Sequence, residues 1–207
     1  MPPSSTSRSR SMSALRFAAG LGRFGRDERA SVTAEFALWL PVLFALLAGA
    51  IMFFDMFRVS ARAVRATATL GDIVARQTVA DDAFLETLLP IFTASLPAGI
   101  EDPWVRVTSI QNVGDVPAAA SEPEDGRVAA PTHVVLWSHV QGPAAPLTTA
   151  DLDRYDLPPM QVGDTVILTE TALRHAPIGG RILGVAPVIR ANLSFNRPRF
   201  VPAVVRE

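Results

Sequence analysis

The stretch "RASVTAEFALWLPVLFALLAGAIMFFDMF" (29–57) decides the architecture. From Phe36 to Phe54 it runs for nineteen residues without a charged side chain. A helix of about 20 apolar residues crosses the hydrocarbon core of a bilayer. One carboxylate, Glu35, stands at the entrance to this run. Charges at the edge of a membrane segment are costly and tend to be functional. Upstream lies a polar leader, residues 1–30, with Arg8, Arg10, Arg16, Arg23, Arg26 and Arg29 against Asp27 and Glu28. Its Ser- and Arg-rich composition predicts disorder through about Met12, which is itself a candidate start. An arginine-rich leader keeps the N-terminus cytoplasmic, although Arg58, Arg62 and Arg65 balance the far flank.

Downstream, Met56, Val59, Ala63, Ala66, Leu70 and Ile73 recur at steps of three and four, which places them on one helix face. Arg58, Arg62 and Arg65 fall on another. Ala63, Leu70 and Ile73 are expected to face a sheet, and Gly71 to weaken the helix locally. A single helix over about 36–77 would be about 60 Å long, twice the roughly 30 Å of a bilayer core. Its second half must therefore seek a protein surface. Asp81 or Asp82 is a candidate N-cap for the helical pattern "AFLETLLPIFTASL" (83–96), which Pro90 should kink or split.

After Pro97 the period changes. "PWVRVTSI" (103–110), "THVVLWSHV" (132–140), "DTVILTETALRHA" (164–176) and "VIRANLSF" (188–195) are rich in β-branched residues and partly alternate. The segments between them are turn-forming: 114–131, 142–163 with one short helical turn, and 177–187 as a long hairpin connection. The predicted fold class is α+β, a long N-terminal transmembrane and amphipathic helix packed on a small antiparallel β-sheet, pilin-like. The predicted divisions are a leader (1–30), a transmembrane helix (31–57), a helical extension (58–97) and a β domain (98–207).

Composition narrows the chemistry. The 207 residues suit one modest domain plus an anchor. With net charge −1 and one Tyr, neither a basic surface nor an aromatic platform for nucleic acid is expected. All 19 basic residues are Arg, which reads as coding bias. The absence of Cys removes disulfides, thiolate metal sites and thiol nucleophiles.

A conventional signal peptide competes for the apolar run, because Ala48-Gly49-Ala50 matches a small-residue cleavage site. Cleavage there would leave an apolar mature N-terminus behind an unusually long polar region. The stretch instead resembles the signal of type IV pilin-like proteins, which is cut before the apolar segment. Here the pattern reads Ala30, the cut, then Ser31-Val32-Thr33-Ala34 and Glu35-Phe36. More specifically, "DERASVTAEFALWLPVLFALLAG" resembles the N-terminal signature of TadE/TadG-like proteins, with Pro41 six residues after Glu35. "TLGDIVARQT", "GDTVILTET" and "NRPRF" are similar to further segments of that family. Ala30 stands where the family most often has Gly. The chain is too short for the added domain of the long TadG proteins, so TadE-like is the better label.

The resemblance implies a minor pilin or pseudopilin of a tight-adherence (Flp) pilus, in the bacterial inner membrane with a periplasmic C-terminal domain. It implies a prepilin peptidase cutting between Ala30 and Ser31, Glu35 and Phe36 as the assembly and recognition pair, and other pilins, the Tad assembly platform and the lipid bilayer as partners. It implies neither enzymatic activity nor a cofactor nor a nucleic-acid partner. The chemistry is coherent by itself. Cleavage frees an amine on Ser31, cationic near neutral pH, one helical turn from Glu35. Pairing between them, within or between subunits, would offset the cost of placing charge in an apolar bundle. The plainer alternative is a first-turn acid favoured by the helix dipole.

Other candidates carry less. His133 and His139 share strand parity, and His175 lies on another predicted strand, but no metal-ligand spacing accompanies them. "DLDRYD" (151–156) lacks the calcium-loop pattern and reads as a solvated turn. Ser31, Ser138 and Ser194 lack a Gly-x-Ser-x-Gly setting. Trp39 is expected at the lipid face or interface, and Trp104 and Trp137 in the sheet core. Pro41 is tolerable near a helix start. "NRPRF" should end the last strand, or else contact a partner. Two rival functions stay open: an uncleaved single-span scaffold or sensor, and an exported hydrolase with a conventional signal peptide.

Overall fold

A computed structural model describes residues 28–114 and 132–207, and side chains of the first helix at Thr33 and from Glu35 onward. Residues 1–27 of the leader and nearly all of the 114–131 connection lie outside the described residues. The chain divides into two units, 1–51 and 52–207.

Helix α1 runs from Glu28 to Ala75. It begins eight residues before the expected Phe36 and ends two before Gln77. The earlier start changes the reading of Pro41. That residue sits more than three turns into the helix, so its missing N–H does remove an interior hydrogen bond. In the first unit the described residues are helical throughout.

The second unit is an α+β fold. The last part of α1 is followed by β1 (Val79–Ala80), α2 (Asp82–Leu85), α3 (Leu88–Ala94), β2 (Ile100–Asn112), β3 (His133–Gln141), a 3-10 turn (Thr149–Arg154), β4 (Thr165–His175), α4 (Gly180–Leu183), β5 (Val188–Asn196) and β6 (Val205–Arg206). The four long strands form one antiparallel sheet in the order β3-β2-β4-β5. All four match expected strands to within a few residues. The two-residue strands β1 and β6 pair in parallel and have no period by which a sequence could announce them.

The expected helix face is the buried one, except at its two ends, where Met56 and Ile73 are only half-buried. Val59, Ala63, Ala66 and Leu70 are buried, while Arg58, Arg62 and Arg65 are exposed. Val74 takes the place of Ile73 in the core. This face packs with Val105, Val107, Ile167 and Leu173 of the sheet and with Leu85, Leu88 and Phe92 of α2 and α3. Small residues let the helix approach closely. A Cβ at Gly71 would collide with the Asn196 side chain and meet Thr169 Oγ1 at 3.2 Å. Thr67 and Thr171 hydroxyls meet across the same seam at 2.6 Å. Gly71 is thus a contact point, which outweighs its low helix propensity.

Asp81 caps α2, accepting the Phe84 N–H at 2.7 Å. The helical pattern does split, but at Glu86–Thr87 and not at Pro90, which lies in the first turn of α3 where its N–H is not needed. The sheet's other face carries a second core of Ile110, Leu147, Leu152, Val166 and Leu168, covered by the 142–163 segment. Both faces of β4 are therefore covered, which explains why that strand is apolar or Thr-rich at nearly every position. "NRPRF" follows the end of β5 and also closes α1. The Arg199 N–H donates to the Ala75 carbonyl at 2.9 Å, and its guanidinium pairs with Asp72.

Candidate functional site

The candidate site begins with the surface of the apolar run. Phe36 (59%), Leu38 (72%) and Leu46 (70%) are exposed, as are Trp39, Leu43, Phe44 and Leu47. Among the described residues one helix is long and apolar enough to cross a membrane, and its most apolar stretch is unburied. Apolar patches of this extent on a folded chain mark lipid or protein contacts. Ala30, Ser31, Glu35 and Phe36 all lie within α1. Ser31 and Glu35 are four residues apart and share a helix face. The side chains of Ala30 and Ser31 lie outside the described residues. Glu35 and Phe36 are both exposed.

A separate polar cluster lies within the 52–207 unit, at the helical residue directly after Phe54. Asp55 is the first member of the buried row continued by Val59, Ala63 and Ala66. It accepts a hydrogen bond from His175 Nε2 at 2.8 Å and another from the Ile178 N–H at 3.2 Å. Arg58 Nη2 stands 3.7 Å from its other oxygen. Both side chains of the Asp55–His175 pair are buried. With its proton on Nε2 the imidazole donates to the carboxylate, and Nδ1 is left buried without a hydrogen-bond partner. The pair ties α1 to the end of β4. Sequence reasoning missed it, although two signals were present. Asp55 lies one turn before Val59 on the apolar face, and His175 shares the inward parity of Ile167 and Leu173.

The three histidines do not assemble. The register of β3 slips by one residue at Leu136, since Trp137 pairs with Ser109 and Val135 with Ile110. The extra residue turns His133 and His139 to opposite faces, which corrects the shared parity expected from their spacing. His139 faces α2, near Glu86 (3.9 Å). Burial first, and then the Arg206 charge, holds its pKa below the ordinary histidine value, whereas Glu86 and Asp82 act the other way. The imidazole is therefore neutral at neutral pH, and its approach to the largely exposed Glu86 is not a charged pair.

On the sheet's outer face Arg106 organises a closed network. Its Nε donates to Glu170 Oε2 at 2.7 Å, Nη1 to the Ala145 carbonyl at 2.8 Å and Nη2 to the Tyr155 hydroxyl at 2.8 Å. Tyr155 in turn donates to Glu170 Oε1 at 2.8 Å. Burial, followed by the Glu170 hydrogen bond and charge, raises the Tyr155 pKa and keeps the phenol protonated. For Arg106, burial works to lower the pKa, but the bond to Glu170 and its charge outweigh it and the guanidinium stays charged. The network fastens the 142–163 segment to β2 and β4, so "DLDRYD" is more than a solvated turn. Asp151 completes a capping box with Thr148, and Leu152 enters the second core.

Trp104 lies on this outer face, half-buried, with the Arg106 guanidinium 5.7 Å from its ring centre, and not in the core as expected. Trp137 does pack on the main core and donates from Nε1 to the Val204 carbonyl at 2.7 Å. Among the described residues no group of three or more His, Asp or Glu side chains is placed to hold a metal ion. In comparisons with known proteins the chain matches no family model, no curated protein and no solved structure.

Proposed function

We propose that this protein is a minor pilin or pseudopilin of a tight-adherence type IV pilus, held in the bacterial inner membrane by α1 and carrying its sheet in the periplasm. Its role is structural, in assembling an adhesive filament. The observation that supports this best is the change of surface along one helix. Apolar side chains are exposed from Phe36 to Leu47, directly after Glu35, and a buried row starts at Asp55. A helix of this kind can sit in lipid and later exchange lipid for neighbouring apolar helices. Its distal half meanwhile stays fixed to its own sheet. The Ala30–Ser31 peptide bond is the proposed cut, and the new Ser31 amine would meet the Glu35 carboxylate of its own or a neighbouring subunit.

Two substitutions test the two functions assigned to these six residues. In a host with a Tad-type prepilin peptidase, wild type should have Ser31 at its N-terminus by intact mass and sequencing. Ala30→Arg should accumulate at the uncut mass, because a bulky cation replaces the small residue at the cut. Glu35→Gln should be processed normally yet fail to restore piliation in a deletion strain. Wild type that retains its leader would favour an uncleaved membrane scaffold. Because α1 starts at Glu28, Glu35 lies about two turns inside the helix and not in its first turn, so full piliation by Glu35→Gln would leave the carboxylate without an assembly role.

A further inference from the structure

We propose that the β4–β5 connection, residues 176–187, together with the start of β5 at Val188 and Ile189, is a second membrane contact that seats the sheet-bearing unit on the bilayer headgroups. The inference rests on the membrane-crossing part of the function proposed above. The connection carries no Asp or Glu, and its one charge is Arg181, with Arg190 just beyond. Ile178, Leu183 and Ile189 are exposed, and Ile182 is 89% exposed. Single exposed apolar residues need no explanation. Four within twelve residues, with arginine as the accompanying charge, have the composition of an interfacial lipid anchor. Gly179 and Gly184 bracket α4 with φ of 74° and 71°, a left-handed conformation that L side chains rarely adopt. They let the chain turn at both ends of the four-residue helix, on which Ile182 is exposed.

The position of this connection selects lipid as its occupant. The Ile178 N–H is bonded to Asp55, and His175, the last residue of β4, bonds the same carboxylate oxygen. Asp55 directly follows the uncharged run that ends at Phe54. At about 1.5 Å rise per residue, the loop is tied within a few ångströms of the level where that run ends. The neighbouring helix surface is itself apolar. Phe53, Phe54 and Phe57 are exposed, and Phe53, Met56 and Phe57 line a shallow cavity with Arg190 of β5. Arg58, Arg181 and Arg190 thus accompany this apolar end, and basic side chains beside an apolar surface complement anionic headgroups.

The chain has no cysteine, so single labels can be placed cleanly. Full-length Ile182→Cys, Val162→Cys and Leu46→Cys, each carrying an environment-sensitive fluorophore, are reconstituted in vesicles of phosphatidylcholine and phosphatidylglycerol with nitroxide-labelled lipid as quencher. Val162 is exposed near the opposite end of β4, about 33 Å away at 3.3 Å per residue. The label at 182 should be blue-shifted and quenched several-fold more than the label at 162, and the label at 46 should be quenched most. Equal, weak quenching at 182 and 162 with strong quenching at 46 overturns the second contact and leaves the membrane helix standing. Weak quenching at 46 overturns the crossing itself, and the second contact with it.

Discussion

From Phe36 to Leu47 helix α1 exposes its apolar side chains, whereas between Val59 and Val74 it buries one row of them, Val59, Ala63, Ala66, Leu70 and Val74. The two stretches belong to one continuous helix, so secondary structure does not separate them. Pattern does. The first is apolar all round and has no polar face to leave in water, so no single protein surface can satisfy it. In the second, Arg58, Arg62, Arg65, Thr69 and Asp72 occupy one side, and small or branched residues the other. Ala63, Ala66 and Gly71 keep the buried side narrow, which lets the sheet come close. The surroundings that an apolar helix needs are therefore set by how its residues are distributed more than by how many are apolar.

A matched pair of substitutions should give the largest effect. Leu70→Asp places an unpaired carboxylate where Leu70 is 1% exposed and should cost the sheet-bearing unit roughly 3–5 kcal/mol. Leu46→Asp introduces the same group at an exposed position and should change that unit's stability by no more than about 0.5 kcal/mol. Its penalty should appear in membrane insertion, at about 2.5–3.5 kcal/mol for an acid near a helix centre. Limited proteolysis of the sheet-bearing unit, beside a carbonate-extraction assay for insertion, reads both. Equal protease sensitivity of the two variants would remove the distinction between the two stretches.

Asp55 stands where one stretch gives way to the other, and an effect approaching that of Leu70→Asp is expected there. Asp55→Ala strips the hydrogen-bond partner from His175 and from the Ile178 N–H, in a site where both side chains are buried. Breaking a buried pair by removing one member costs about 3 kcal/mol or more. The double variant Asp55→Ala with His175→Leu should recover part of that loss, giving a coupling energy above about 1 kcal/mol in denaturant melts. Strictly additive single variants would mean that the pair does not fasten α1 to β4.

Much of the architecture was legible because periodicity reports it. The four long strands, the buried row from Val59 to Leu70 and the exposed arginines follow from alternation or a 3.6-residue repeat, and the cap, Asp81 of the two candidates Asp81 and Asp82, from N-cap preference. What escaped the reading depends on pairing across the chain. The slip at Leu136 that separates His133 from His139 arises from the fit of β3 to β2, and neither strand alone encodes it. The two-residue strands β1 and β6 exist only through each other. Trp104 was expected inside because tryptophan is apolar, but its even-numbered place on β2 sets it beside Arg106 on the outer face. The Asp55–His175 pair joins residues 120 positions apart, and each looked ordinary alone. For the candidate site, the exposed apolar run was plain in the sequence, whereas the Asp55–His175 bond inside the 52–207 unit was not.

The smallest expected effect concerns pH and sharpens the same contrast. Between Phe36 and Phe54 no side chain titrates, so insertion of that stretch should be flat across mildly acidic pH. The sheet-bearing unit differs, because His139 is held neutral by burial and by the Arg206 charge, with its pKa below the ordinary value. As pH falls through about 6.5, the unfolded chain takes up a proton on this imidazole that the folded chain does not. The unfolded state then binds more protons, so stability must fall as pH falls. The loss begins at the unfolded pKa and stops growing once pH drops below the lowered folded one. Thermal melts of wild type and His139→Gln, compared at about pH 7.5 and about pH 5.5, isolate this contribution from that of the carboxylates. The wild type should lose more stability between the two conditions than the variant. Identical losses would mean that His139 takes up its proton as readily in the fold as out of it, and that burial beneath α2 does not hold it neutral.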